Sequence, residues 1–584
     1  MTDGNNQACF VSTLAKLRVS SKEAVASADI SSPESMYMHI DRPVQDKFVS
    51  ILKETFESPH AVLVLLCGSV GDGKSHLLSY CNYKYPEMMG NYTIHNDSTA
   101  SLYVDKPASY TLNMLMEGFS DENISSYTGK LILAINHGIL GAFLEADSTN
   151  RFSKLKKYVQ QAGLLDSGSE QDVVSEYFYS VNFADYHLYE LTPNGVKSDY
   201  MLGLLKKITL NSPENQFFTD YSNCCMNCDS CNICPIKANY ELLADSQIQD
   251  GIVKTLVECF IKSKLVISTR SLLNFIYEIL VNEKYFSNGI TNPRKVPGSI
   301  GSQAYLESLL PNMVFRKNDN SEIFESLTLV DPMRIRNEKV DDLIVFYENT
   351  NSVFPLFEKD LAEYTSLLKR IEKTNFADPS AHMLKELSLY LFVRTCWLAG
   401  RKKDLYSRDE DYTNYISALY AWNTGNGKAL KRVYEIVEHG VLAWNGIVES
   451  GKEMQLSVAN QKSVFHLIQS ISLKQTTENL PANKSGDLSS FRDVLKLRYK
   501  VNSDTIVDLD VDYSLYHLLH KVEKGYIPSS AEKRVNVKCV DFVNMIASGG
   551  DKMEELIIRN NSQKEKVEFK LSYDESFGYT FEVN

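Results

Sequence analysis

Residues Gly68, Ser69, Val70, Gly71, Asp72, Gly73, Lys74 and Ser75 match the pattern G-x-x-x-x-G-K-[ST] in full, and they follow an apolar run, 61–67, that reads as a buried strand. These residue types suit a triphosphate. The glycines let backbone N–H groups turn inward around phosphates, Lys74 reaches the β and γ oxygens, and the Ser75 hydroxyl ligates Mg²⁺. His76 then opens a helical stretch whose N-terminal dipole faces the anion. The pattern predicts ATP and Mg²⁺ as cofactors, against the competing explanation of a fortuitous Gly-rich turn.

Hydrolysis asks for more than a phosphate cradle: a carboxylate at the end of a neighbouring strand holds the metal or orients water. The strongly apolar strand expected over 130–136 ends in Asn136-His137, where an acid would be the natural choice. An amide can position water or sense the γ-phosphate, but it cannot accept a proton as a carboxylate does. Asp97, at the end of the short apolar stretch before it, is the acidic candidate, with helix or turn capping as its alternative role. Asn182 is a weaker candidate for sensing the γ-phosphate, with a structural role as its alternative. Arg270, opening an apolar helix, could neutralise charge developing in phosphoryl transfer, or serve only in a surface ion pair.

A second chemistry is written in Cys224, Cys225, Cys228, Cys231 and Cys234, five of the eleven cysteines. Repeated C-x-x-C steps turn thiolates toward one soft cation, and zinc held by four of them is the first expectation. The run Cys225, Cys228, Cys231, Cys234 followed by Pro235 also approaches the bacterial ferredoxin spacing, one residue short in its last gap. An iron–sulfur cluster there would need a remote fourth ligand, and free or redox-active thiols stay open as a third reading. The other six cysteines, Cys9 among them, stand in ordinary contexts. A metal would supply folding free energy that the polar loop 223–237 lacks.

These residues need a scaffold. Alternating strand and helix patterns from 41 to 283 predict a parallel sheet with helices on both faces, interrupted by the cysteine loop at 223–237. A helical segment occupies 1–40, a mainly helical domain 284–486, and an α+β module 487–584, with 475–487 as the best linker. The fold class is therefore multidomain α/β. The 584 residues, 43% of them apolar, are ample for several cores. A net charge of −13 argues against wholesale coating of DNA, and the local basic patches Arg401, Lys402, Lys403 and Lys428, Lys431, Arg432 could serve as phosphate contacts or simply be solvated helix faces. With no leader-like N-terminus and no apolar run near the roughly 20 residues that span a bilayer, a cytoplasmic protein with no membrane partner is expected.

The ordered set of 65–78, Ile94-His95-Asn96-Asp97-Ser98-Thr99, Leu133-Ala134-Ile135-Asn136-His137-Gly138 and Cys234-Pro235-Ile236 resembles the DptF (DndF) family, ATPase subunits of DNA phosphorothioation-dependent restriction systems. The likeness is strongest over 36–283. It implies an AAA+-like phosphate-loop ATPase that works with DptG and DptH partners, as a subunit and possible homo-oligomer, against DNA lacking the phosphorothioate mark. The nucleotide contacts it transfers fall on Gly68, Gly71, Gly73, Lys74 and Ser75. No nuclease residue is carried over.

Overall fold

The computed structural model describes residues 9–18, 36–69, 71–96, 108–165, 173–265, 267–286, 293–318, 321–405, 409–446, 452–456, 465–478, 480–481, 485–502, 505–549, 551–560 and 568–583. Two compact units are present, one of residues 1–190 and 197–407, the other of 191–196 and 408–584.

In the first unit a short helix α1, Phe10–Leu14, precedes α2, Pro43–Thr55, which starts with proline in its first turn, where the missing N–H is not needed. The strand β1, Val62–Cys67, leads into α3, Lys74–Lys84; β2, Thr93–His95, and α4, Ala108–Met116, follow. Next come β3, Lys130–Ile135, α5, His137–Ala146, α6, Ser153–Gln161, and β4, Phe178–Asn182. The four strands pair in parallel in the order β2-β3-β1-β4, with Val62 opposite Lys130 and Leu63 opposite Phe178.

Every residue of β1 is buried, and the two-residue period of a strand divides them between two cores. Leu63, Leu65 and Cys67 pack with Leu112, Leu140 and Leu155 from α4, α5 and α6 on one face. Val62, Val64 and Leu66 meet Phe48 and Leu52 from α2 and Leu77 and Leu78 from α3 on the other. The result is a sheet with helices on both sides, as the alternating pattern predicts.

Helices build the rest of this unit: α7, Asp199–Thr209, α8, Gln216–Cys225, α9, Pro235–Leu243, α10, Ser246–Ser263, α11, Thr269–Leu280, and, after further helical segments that include Glu338–Asn349, α12, His382–Leu398. Within the expected helical region, most of 360–372 is the 3-10 helix Ala362–Ile371. Buried Arg394 of α12 clasps Asp331 through Nη2 at 2.6 Å and Nε at 3.2 Å and also donates to Asn312, so the interior charge is paired and its donors used. Arg401 and Lys402, read as a basic patch, pair with Glu363 and Asp360.

The second unit places α13, Glu410–Asn423, α14, Lys431–Leu442, α15, Tyr513–Glu523, and α16, Val537–Gly549, with two antiparallel sheets. Five strands take the order Gly578–Val583, Glu568–Asp574, Asp551–Asn560, Phe465–Ser472, Glu453–Gln455; three take the order Ile506–Val511, Leu495–Lys500, Lys474–Thr476. Residues 453–476 therefore contribute strands where a helical region is expected. Gln475 and Thr476, at the head of the expected linker, pair with Tyr499 and Arg498. Their partners are distant in sequence, so no local periodicity marks them. Asp411 is held by both His517 and His520 at 2.6 Å, and Arg432 sits near Glu435 and Glu523.

Gly251 of α10 lies where α12 ends: a Cβ there would stand 1.8 Å from the Leu398 carbonyl oxygen, a backbone atom that cannot swing aside. Gly251→Ala should destabilise the first unit by about 1–3 kcal/mol or more through forced separation of the helices. The midpoint of its urea transition reads the effect, and an unchanged midpoint contradicts the packing described.

Candidate functional site

The C-terminal ends of β1, β3 and β4 share one edge of the sheet, with Cys67 level with Ile135 on one side and Asn182 on the other. Ligands of parallel α/β sheets bind at this edge. The glycine-rich loop leaves β1 here. Gly71 and Gly73 have φ of +92° and +97°, a region that costs other residues dearly, so glycine is required for the chain to turn as it does. Lys74 begins α3 and folds back over the loop, its Nζ donating to the Gly68 and Ser69 carbonyls at 2.9 and 2.6 Å. The Ser69 N–H donates to Asp72 Oδ2 at 2.5 Å. Burial pushes the Asp72 carboxyl above its usual range, against the downward pull of that N–H, Lys74 and Arg42. Ser75 follows, half-buried, in the first turn; Val70 lies outside the described residues.

Two neighbours that the motif does not name brace the loop. Arg42, just before α2, donates to the Asp72 carbonyl and to the Tyr186 carbonyl at 3.1 Å each and lies over the Tyr200 ring at 5.3 Å. Ser268 caps α11 and abuts Gly71, where an added Cβ would come within 2.8 Å of the Ser268 Cβ. Arg270, half-buried, lies in the first turn of α11 two residues after Ser268. The only signal for Arg42 in the sequence is an arginine before a proline-started helix, which is too common to single out.

The other candidates divide. Asn136 stands at the end of β3, beside the loop, but its Oδ1 accepts the Ile139 N–H at 2.8 Å and so caps α5. Asn182 is buried and bonded to His137 at 3.0 Å and to Asp185 at 3.2 Å, a fixed member of the edge. β2 runs toward Asp97, which lies outside the described residues. His76, expected against the nucleotide, contacts His39 at 2.9 Å, and the His39 ring stacks on Tyr80 at 3.4 Å.

The cysteine loop forms a second centre. Cys224 and Cys225 end α8, Cys231 begins a short 3-10 turn, and Cys234 stands just before Pro235 at the start of α9. Successive turns hold them, with N–H donations from Cys228 to the Cys225 carbonyl at 3.4 Å and from Cys231 to the Cys228 carbonyl at 2.9 Å. All five line one cavity together with Cys9, which corrects the reading of Cys9 as a bystander. Among the described residues no three His, Cys, Asp or Glu side chains are gathered closely enough to hold a metal ion as they stand. Both observations hold at once, because a shared cavity sets a wider limit than a shared ligand point. Burial pushes the Cys9 and Cys225 thiols upward, and Cys234 up to about 11 against the pull of the Ile236 and Lys237 N–H groups.

No helix among the described residues is long and apolar enough to cross a membrane. No family model, curated protein or solved structure matches the chain.

Burial, with the nearby charges of His39 and Arg42, holds the His76 imidazole down to about 4 from an ordinary 6.5, so the folded protein keeps it neutral. The unfolded chain protonates first as pH falls, so this contribution to stability is fully present above about 6.5 and is lost as pH drops toward about 4. His39 is lowered for the same first reason. His76→Gln should flatten the fall of the melting temperature across that window, leaving the share due to His39; an undiminished slope contradicts the buried neutral pair.

Proposed function

We propose that the chain is an ATP-binding and ATP-hydrolysing subunit, of the AAA+-like phosphate-loop class, in a DNA phosphorothioation-dependent restriction complex that acts with DptG- and DptH-type partners against unmarked DNA. The observation that carries the nucleotide reading is the Lys74 ammonium at 2.9 and 2.6 Å from the loop's own carbonyls, at the carboxyl edge of a parallel sheet. These contacts keep the cation over the turn that Gly71 and Gly73 make, so a triphosphate exchanges two neutral acceptors for charged oxygens without moving the backbone.

In this reading Ser75 holds Mg²⁺, and Asn136 and Asn182 form the polar wall beside the γ-phosphate. Asp97 is the carboxylate for metal or water, and Arg270, on the helix capped by Ser268, is the cation that meets charge developing during transfer. The assignment to restriction of unmarked DNA rests on the ordered motif set, and the two basic patches do not add to it, since Arg401, Lys402 and Arg432 face carboxylates.

Calorimetry with Mg·ATP tests the binding step. The intact chain should give saturable heat, and Lys74→Ala should weaken binding by about ten- to hundredfold, the loss expected for hydrogen bonds to a charged group worth about 1.5–3 kcal/mol. Unchanged affinity in the variant rejects the site.

A second reading is favoured by one observation, the engagement of Asn136 as a helix cap. It makes the chain a nucleotide-gated scaffold, in which ATP orders the loop and α11 and turnover is slow. Steady-state phosphate release with partners and duplex DNA present separates the two. Multiple cycles per chain exclude the scaffold, and a single cycle or none excludes the motor.

A further inference from the structure

Asp72 stands between two glycines, Gly71 and Gly73, both at positive φ. With no side chain on either flank, the peptide units of this turn have more than one orientation open to them. The direction of the Asp72–Gly73 peptide is therefore settled from outside the loop.

Half-buried Arg42 supplies the hold. Its Nη1 donates to the Asp72 carbonyl and its Nη2 to the Tyr186 carbonyl, just beyond β4, at 3.1 Å each, and the guanidinium lies over the Tyr200 ring of α7 at 5.3 Å. One planar fork thus spans two segments, which a lysine ammonium, a single point of charge on a flexible stem, does not reproduce. Tyr200 is held in turn, its hydroxyl meeting Thr269 Oγ1 at 2.8 Å in the first turn of α11, beside the Ser268 that abuts Gly71.

In a trans peptide the N–H points opposite to the carbonyl. With the Asp72 oxygen turned to Arg42, the Gly73 N–H is turned away from it, and among the described residues that N–H meets no acceptor. Gly73 caps α3, so this unused donor stands at the positive end of an 11-residue helix and directly before Lys74. A guanidinium donating to the carbonyl also polarises the peptide and strengthens its N–H as a donor. Arg42 differs here from Arg394, whose charge is met by the Asp331 carboxylate: it directs both Nη groups at neutral carbonyls and forms no ion pair among the described residues. Its charge is felt in the first turn of α3, where it helps to hold the His76 imidazole down.

We infer that Arg42 is a positioning residue for the phosphates: it fixes the Asp72–Gly73 peptide with the carbonyl on its own side, so that the Gly73 N–H is preset as a phosphate donor. Arg42 acts through this peptide and not by touching the anion. The inference rests on the reading of the loop as a nucleotide site and adds a residue that the motif does not contain, 30 positions before Asp72.

Calorimetry with Mg·ATP on the full chain tests it. Arg42→Met should weaken binding by about tenfold relative to wild type, the scale of a displaced contact in a preorganised site. Arg42→Lys, which keeps the charge but bridges the two carbonyls poorly, should recover only part of the loss. Amide hydrogen exchange on the nucleotide-free protein gives a second readout: in both variants exchange should quicken in peptides covering 68–76 and stay at the wild-type rate in 130–136. Wild-type affinity in Arg42→Met overturns the positioning role, and full recovery in Arg42→Lys overturns the bridge between carbonyls. Should Arg42→Met not fold, unchanged exchange over 68–76 in Arg42→Lys overturns the hold on the loop. Wild-type protein that binds no Mg·ATP rejects the nucleotide reading itself, whereas binding that is equal in wild type and Arg42→Met rejects the role of Arg42 alone.

Discussion

Burial of β1 on both faces is the constraint on which the candidate site depends. A strand with Leu63, Leu65 and Cys67 in one core and Val62, Val64 and Leu66 in the other cannot slip by a residue without exchanging the two sets. Its end is therefore fixed, and with it the point at which the glycine-rich loop begins. The parallel neighbours β3 and β4 fix the level of Asn136 and Asn182 to the same point, because Cys67 is in register with Ile135 and Asn182. The polar edge is a consequence of apolar packing several residues below it.

Backbone shape at the loop is then settled by groups from elsewhere. Arg42 ties the Asp72 carbonyl to the Tyr186 carbonyl, and Ser268 fills the space that the missing side chain of Gly71 leaves. Neither contact adds much apolar area; each restricts the loop by geometry. The cysteine loop follows the same logic with different means. Few of its residues are buried, and its order comes from turns joined to α8 and α9 and from α1 packed across them. In both places the chemistry-bearing segment is short of its own core and borrows rigidity from neighbouring helices.

How much of this was legible beforehand varies with the range of the interaction. The β1–loop–α3 unit, the strands β3 and β4 and most helices follow from period and capping residues, since Leu131 to Ile135 or Ser198 before α7 carry their signal locally. Within the expected helical region, 362–371 tightens into 3-10 turns. The strands Phe465–Ser472 and Lys474–Thr476 escape detection because they pair with 551–560 and 495–500, and the three-residue strand Glu453–Gln455, paired with 465–472, is too short to show a period. The same reason hides Arg42, Ser268 and Cys9. Each is an ordinary residue in its local context, and each matters only through a segment 30 to 216 positions away. Motifs reveal residues that act together within one turn of chain, whereas braces and distant members of a cavity wall need the tertiary fold.

One structural route joins the two centres. Cys234 precedes α9, whose buried Asn239 donates to the Leu280 and Ser308 carbonyls and accepts the Leu310 N–H, locking α9 to the end of α11. The beginning of α11 is Ser268, in contact with Gly71. A helix of 12 residues transmits displacement along its axis with little compression, so a shift of α9 at one end of α11 presents itself at the glycine-rich loop as a shift of Ser268. Contiguity alone is not coupling, which requires an element with two arrangements biased from both ends. The place where α11 meets the loop is the contact of Ser268 with Gly71, whose φ of +92° and missing side chain allow the close approach. What the contacts do establish is that the far end of α11 is held to α9 and Leu310 by buried hydrogen bonds of Asn239, so the helix beside the loop is anchored at the end away from it.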